Sequence, residues 1–236
     1  MRFFRGFMLT LAGMCVFLCM LSGVAYTQIT SSRQMLNGFN QFADTSLKGV
    51  PATAYPDYAK VIAGYLTGKR NDLKVTAEDG TERPGFSEKE LAHMADVRGL
   101  VHGLKVFLYV SGGLSLLFFG AYLYLRRRRK TWKVLLRGIL KGAAAGAYVL
   151  LGLILGLAVW GAVNFTGLFV TFHKVFFSNS LWLLNPREHL LIMLMPTPFF
   201  VWYAKQIALT CLPIFVLMAA VAVAGIVFGR SRYEGL

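Results

Sequence analysis

With 236 residues, 56% of them apolar, and a positive mean hydropathy, the chain is too apolar for one or two soluble domains and reads as a membrane protein. A net charge of +14 would suit a nucleic-acid binder, but its distribution argues against one: twelve of the 25 Lys and Arg lie in three short segments whose only acid is Glu234. Those segments are Arg2 with Arg5, Arg126 to Lys141, and Arg230 with Arg232, and they read as membrane-orientation signals touching anionic lipid, with no nucleic acid as partner.

Four windows are long and apolar enough to span a bilayer: 7–25, 106–125, 142–163 and 207–228. The first follows a charged start and so resembles a signal peptide, but its apolar run exceeds a usual signal core and is expected to remain as a span. Cys15, Cys19 and Cys211 all fall in spans, which leaves no disulfide framework and no metal spacing. The excess of positive charge puts both termini and the 126–141 loop in the cytoplasm, leaving 26–105 and 164–206 on the outer face.

Segment 26–105 is expected to form a small, mostly helical extracytoplasmic cap. Within it "YPDYAKVIAGYLTGKRND" has Asp57 in a first turn, Tyr58, Val61, Ile62 and Tyr65 on one face, and Gly68 as a stop. "LKVTAEDGTERPGF" alternates Leu73, Val75 and Ala77 before Asp79-Gly80 and predicts a short β-hairpin. Ser87 followed by Glu90 is a capping box, from which a helix should run without a breaker into the second span. The third span carries Gly142, Gly146, Gly152 and Gly156 at small-residue spacing, a packing device for helices in lipid.

After that span, "FVTFHKVFFSNSLWLLNP" is too aromatic for an exterior loop and too interrupted for a fifth span, so 164–206 is expected as an interfacial aromatic loop. Asn185, Pro186 and Glu188 have the spacing of a helix start for "PREHLLIMLM".

All four histidines, His93, His102, His173 and His189, fall in or beside these outer segments. Imidazole exchanges protons near neutrality, and burial among aromatic rings both tunes that exchange and excludes water. His93 has Glu90 and Asp96 three residues to either side, so either carboxylate could orient it; equally, the spacing fits polar decoration of an interfacial helix. His173 among Phe169, Phe172, Phe176 and Phe177 would lose hydration unless it found a polar partner, and an interface anchor bonded to Asn179 is the plain alternative. His102 reads as a border residue, and His189 as a supporting residue or none. No G-x-S-x-G serine motif and no H-E-x-x-H zinc motif is present.

"FSEKELAHMADVRGL" and "NFTGLFVTFHKVFFSNSLWLLNPREHLLIMLMPTPFF" resemble the two signature segments of the lipoprotein intramolecular transacylase (Lit) family of bacterial membrane proteins. The resembling elements are E-x-x-H-M-x-D-V before the second span, then F-x-x-F-H-x-x-F-F, a tryptophan and P-x-x-F-F after the third. The resemblance implies a cofactor-free acyltransferase acting on diacylglyceryl-modified lipoproteins in the cytoplasmic membrane. It would move the sn-2 acyl chain from glycerol oxygen to the α-amine of the N-terminal cysteine. His93 and His173 would be catalytic, His93, backed by Glu90 or Asp96, as the base and His173 as the acid or oxyanion donor, with the reverse order as the alternative. Glu90, Asp96, Asn179 and Trp182 would support them, and Phe169, Phe172, Phe176 and Phe177 would contact the lipid. An interfacial hydrolase or intermolecular acyltransferase using the same histidines is the competing enzyme, and a non-catalytic assembly or transport factor the competing class, although the spans lack the mid-membrane ionisable groups of transporters.

Overall fold

The computed structural model describes residues 2–77, 79–126 and 132–230. Most of the arginine cluster (127–130), Glu78 of the expected hairpin and Arg232 lie outside the described residues. Among the described residues eight α-helices follow in order: α1 Arg2–Ile29, α2 Ser32–Phe42, α3 Tyr55–Leu66, α4 Glu88–Arg126, α5 Trp132–Val163, α6 Phe165–Phe176, α7 Leu190–Leu194 and α8 Thr197–Arg230. Stretches of α1, α4, α5 and α8 are long and apolar enough to cross a membrane: Gly6–Ile29, Glu88–Tyr124, Ile139–Val163 and Thr197–Val221. In α4 the apolar run begins at Val106; the portion before it carries Glu88, Lys89, Glu90, Asp96, Arg98 and Lys105 and is extramembrane by composition.

The chain folds as two compact units. One consists of residues 1–24, 106–160 and 210–236. Its small core is Phe17, Ala147, Leu150, Ile214 and Met218, while Leu116, Leu117, Leu153, Leu155 and Val216 point outward as a lipid-facing surface requires. Backbones approach closely where α1 meets α5: a Cβ at Gly142 would collide with Leu9, one at Gly146 with Met14, and one at Gly13 with Ala143. Gly152 and Gly156, expected to pack in the same way, face open space. Small-residue spacing identifies a face but does not say how far along the helix a neighbour follows it.

The second unit consists of residues 25–105 and 161–209. Its core gathers Phe39 from α2, Tyr58 and Ile62 from α3, Met94 from α4, Leu190 and Leu194 from α7, and Phe199 and Tyr203 from α8. Helix α2 begins where Ser31 accepts from the Gln34 N–H, and it buries Met35, Gly38 and Phe39, with the Phe199 ring against Gly38. Helix α3 buries Tyr58, Val61, Ile62 and Tyr65 as its periodicity predicts, and the chain turns away at Gly68, where φ is +79°.

The expected β-hairpin is not formed: among the described residues there is no strand. Thr76 and Glu82 make one isolated antiparallel bridge around the Asp79-Gly80 turn. Two bonds make it, from the Ala77 N–H to the Thr81 carbonyl and from the Arg83 N–H to the Val75 carbonyl, and then Pro84, which has no N–H, and Gly85 end the pairing. The 164–206 segment is likewise not a loop throughout, since α6 occupies 165–176. The Asn164 side chain caps it by accepting from the Gly167 N–H at 2.8 Å. Residues 186–188 form a turn and not the start of a helix: Asn185 accepts from the Arg187 N–H at 3.0 Å and donates to Glu188 at 2.7 Å, His189 is extended, and α7 begins only at Leu190. An Asx turn and an N-cap use the same residue types, and here the turn wins.

Candidate active site

Two histidines from segments eighty residues apart meet inside the second unit. His93 lies in the second turn of α4, and His173 is in the last turn of α6; their ring centroids are 6.2 Å apart with planes inclined by 32°. Both are buried. The capping box at Ser87 starts α4 where the sequence predicts, and that start fixes the face on which His93 emerges: Ser87 donates through N–H and Oγ to Glu90 Oε2, each at 2.7 Å.

Aromatic rings enclose His173 on four sides. Phe169 is at 4.2 Å, Trp182 at 4.9 Å, and Phe172 and Phe177 both at 5.5 Å from its ring centroid. The Phe177 ring also meets His93 edge-on at 5.4 Å, so one phenylalanine touches both imidazoles. Phe172 and Phe176 are exposed on α6, whereas Phe169 packs inward onto Phe200. The polar partner that His173 needs is the Phe169 carbonyl, 2.7 Å from Nδ1, and not Asn179. Because a carbonyl only accepts, Nδ1 carries the proton and Nε2 of the neutral ring keeps its lone pair.

Neither carboxylate expected beside His93 bonds to it, and His93 Nδ1 is buried without a hydrogen-bond partner. Glu90, 1% exposed, is fully used elsewhere: beyond Ser87, its Oε1 accepts from the Leu191 N–H at 2.6 Å. Asp96 accepts from the Asn179 side-chain amide at 2.8 Å. A third tie runs from Lys89 Nζ to the Leu183 carbonyl at 2.5 Å. The polar residues around His93 therefore fasten the 177–191 segment to α4. Asn179 also shapes that segment, its side chain accepting from the Leu181 N–H and its carbonyl from Trp182 Nε1 at 3.0 Å, which sets the indole against His173. Lys89 and the Leu191 N–H carry no sequence signal for this task, since a lysine in a first turn and an unremarkable leucine say nothing about what they face.

Burial pushes the His93 imidazole down to about 4, with the neighbouring His173 opposing its charge and Asp96 weakly favouring it. Burial likewise lowers His173, against a smaller opposite effect of the Phe169 carbonyl. Both shifts favour the neutral ring. His189 instead closes its own turn, Nδ1 accepting from the Asn185 N–H at 3.0 Å, and His102 is exposed. An open groove of about 300 Å³ runs beside Phe177, lined by Ala95, Asp96, Gly99, Phe176, Ser178 and Asn179 among others. Among the described residues no three His, Cys, Asp or Glu side chains gather as metal ligands would.

Four apolar helices and a buried pair of imidazoles ringed by aromatic side chains define a helical membrane protein with a paired-histidine site. The sequence signature of the lipoprotein intramolecular transacylase Lit family matches residues 10–200, so the chain belongs to that family. In fold it is similar to the membrane-integral lipoprotein intramolecular transacylase Lit of Bacillus cereus, with a TM-score of 0.65 and 19% identity over 97% of each chain. Two variants of that Bacillus cereus protein, in which one histidine is replaced by arginine or by alanine, match with TM-scores of 0.59 and 0.60 at 18% identity. They cover 97% of this chain and 93% and 94% of theirs. No curated protein sequence matches the chain at a significant level.

Proposed function

We propose that this protein is a bacterial lyso-form lipoprotein synthase, moving the sn-2 acyl chain of an S-diacylglyceryl cysteine to the α-amine of that cysteine on the extracytoplasmic side of the membrane. The observation that carries the reading is the pair of buried imidazoles, their ring centroids 6.2 Å apart, in an aromatic surround of the kind that keeps water from a reactive ester. Family membership supplies the reaction class.

The nucleophile belongs to the substrate, so the protein needs no activated serine or cysteine. An α-amine with a pKa near 7.7 to 8.0 is partly free at neutral pH, and the enzyme's task is to take the proton that the attacking nitrogen sheds. His173 is suited to this, because its Nδ1 bond to Phe169 leaves Nε2 as the acceptor. His93 is suited to the complementary role. A buried N–H without an acceptor is rarer than a buried acceptor without a donor, which favours the tautomer with the proton on Nε2 and Nδ1 bare. That Nε2–H can donate to the ester oxygen as it gains charge.

The atoms balance without a further reactant. The amine nitrogen bonds to the ester carbonyl carbon and gives one proton to His173; the carbon–oxygen bond to glycerol then breaks, and the departing oxygen takes that proton back. Amide and free hydroxyl result, and both rings return to neutral. Since donor and acceptor are parts of one molecule, holding the glyceryl-cysteine headgroup supplies much of the acceleration. The groove at Asp96, Ser178 and Asn179 fits that headgroup, and exposed Phe172 and Phe176 fit the acyl chains.

The test is conversion of purified diacyl lipoprotein by the purified protein in labelled water, followed by mass spectrometry. An N-acylated, S-monoacyl product without label supports the proposal. Labelled free fatty acid would make the protein a hydrolase, acyl transfer to a second labelled lipoprotein an ordinary transferase, and unchanged substrate a non-catalytic factor.

A further inference from the structure

Helix α4 borders a second groove, of about 370 Å³, lined by Tyr26, Thr67, Gly68, Arg98, His102 and Lys105 together with apolar residues. No acid lines it. Arg98, His102 and Lys105 recur at intervals of four and three, so they share one helical face and extend along it for about 10 Å. The Arg98 guanidinium is held in place, 4.8 Å above the Tyr65 ring centroid and donating to Asn71 Oδ1 at 3.3 Å, but both partners are neutral. Among the described residues the ion pairs are Arg70 with Asp72 and Arg83 with Asp57, so neither Arg98 nor Lys105 is balanced by a carboxylate.

The groove's level in the membrane is set by the chain. Lys105 directly precedes Val106, where the apolar run of α4 begins, and Tyr26 directly follows the apolar run of the first span. Both residues therefore sit at the headgroup layer, where tyrosine and snorkelling lysine are favoured. A concave site at that depth, with fixed positive charge and no counter-charge of its own, matches a lipid phosphate better than a soluble ion.

We infer that this groove binds the phosphodiester headgroup of an anionic phospholipid from the surrounding leaflet, as a site separate from the histidine centre. Arg98 and Lys105 bracket the phosphate, while Thr67 and Tyr26 bound the glycerol side. The inference goes beyond acyl transfer and does not depend on it.

The test uses the full-length protein in nanodiscs of phosphatidylcholine with a minor share of phosphatidylglycerol, released and weighed by native mass spectrometry. Wild type should retain one phosphatidylglycerol per chain in preference to phosphatidylcholine, and added inorganic phosphate should not displace it. The Arg98→Gln/Lys105→Gln protein should bind it roughly 30-fold more weakly. A charge-matched Lys48→Gln/Lys60→Gln protein, altered at two exposed lysines away from the groove, should keep it, as should His93→Ala. Equal retention of the two lipids by wild type, equal loss in the charge-matched control, or displacement by inorganic phosphate would overturn the inference. Arg98 also braces Asn71, so if the double variant fails to fold, Lys105→Gln alone decides: unchanged retention there overturns it.

Discussion

Glu90→Gln separates a fastening role from a catalytic one. The carboxylate is almost completely buried and accepts three hydrogen bonds, from the Ser87 N–H, the Ser87 hydroxyl and the Leu191 N–H. Glutamine keeps the shape but offers only one acceptor oxygen, so whichever way its amide turns, one backbone N–H loses its acceptor and faces an NH₂ group. If the oxygen stays with Leu191, α4 loses its reciprocal cap; if it stays with Ser87, the 177–191 segment is released from α4. An unpaired buried donor costs about 1–3 kcal/mol, so a loss of about 2 kcal/mol is expected. At roughly 2–4 °C per kcal/mol for a chain of this size, the unfolding midpoint should fall by about 4–8 °C in detergent, followed by tryptophan fluorescence. The titration of His93 should not move, because Glu90 does not bond to it. An unchanged midpoint, or a shifted His93 titration with stability intact, would refute the reasoning and return Glu90 to the imidazole.

Three further outcomes follow from packing and charge. His93, held down near 4 by burial, should stay neutral in imidazole NMR until well below the ordinary 6.5; titration at 6.5 would contradict its burial. Since the unfolded chain takes up this proton first, the stability gained by burying the neutral ring is complete above about pH 6.5 and is lost as pH falls toward 4, and His93→Phe should flatten that slope. Gly142→Val should destabilise the protein strongly by driving a side chain into Leu9, whereas Gly156→Val, in open space, should change the midpoint little; equal effects would contradict the helix contact described. Trp182→Ala should raise release of free fatty acid relative to transfer, because the indole 4.9 Å from His173 covers the ring; an unchanged product ratio would remove its water-excluding role.

Apolar run length makes the four spans legible, because each helix must satisfy its own backbone and bury about 20 residues in hydrocarbon. The start of α4 is legible for a local reason: Ser87 and Glu90 form a reciprocal cap that needs nothing beyond four residues of sequence. The face of α3 is legible from its period. What fails is whatever depends on distant partners. Leu73, Val75 and Ala77 alternate like a strand, yet among the described residues the pairing amounts to one bridge, which Pro84 ends. Asn185 can begin a helix or close a turn with equal local chemistry. Helix α2 is missed because its apolar residues are few and acquire their meaning only against Phe199 and Trp202 on α8.

The candidate site divides along the same line. His173 stands out as an ionisable group among phenylalanines, whereas His93 between two carboxylates reads equally as polar decoration, and the resemblance pairs them. The tasks of Glu90 and Asp96 are not readable, because spacing on a helix shows which side chains are neighbours and not which backbone group from 191 or which amide from 179 will compete for them. The tautomer of His173 is set by the carbonyl four residues earlier, a contact any helical histidine can make and few use.

The most direct measurement is the single-turnover rate of lyso-lipoprotein formation for wild type, His93→Ala, His173→Ala and the double variant, all at matched folded fraction. Two rings acting on one proton path predict that each single replacement slows transfer roughly 100-fold or more and that the double variant is no slower than the worse single. A single variant that keeps the wild-type rate, or losses that simply multiply in the double, would contradict the account.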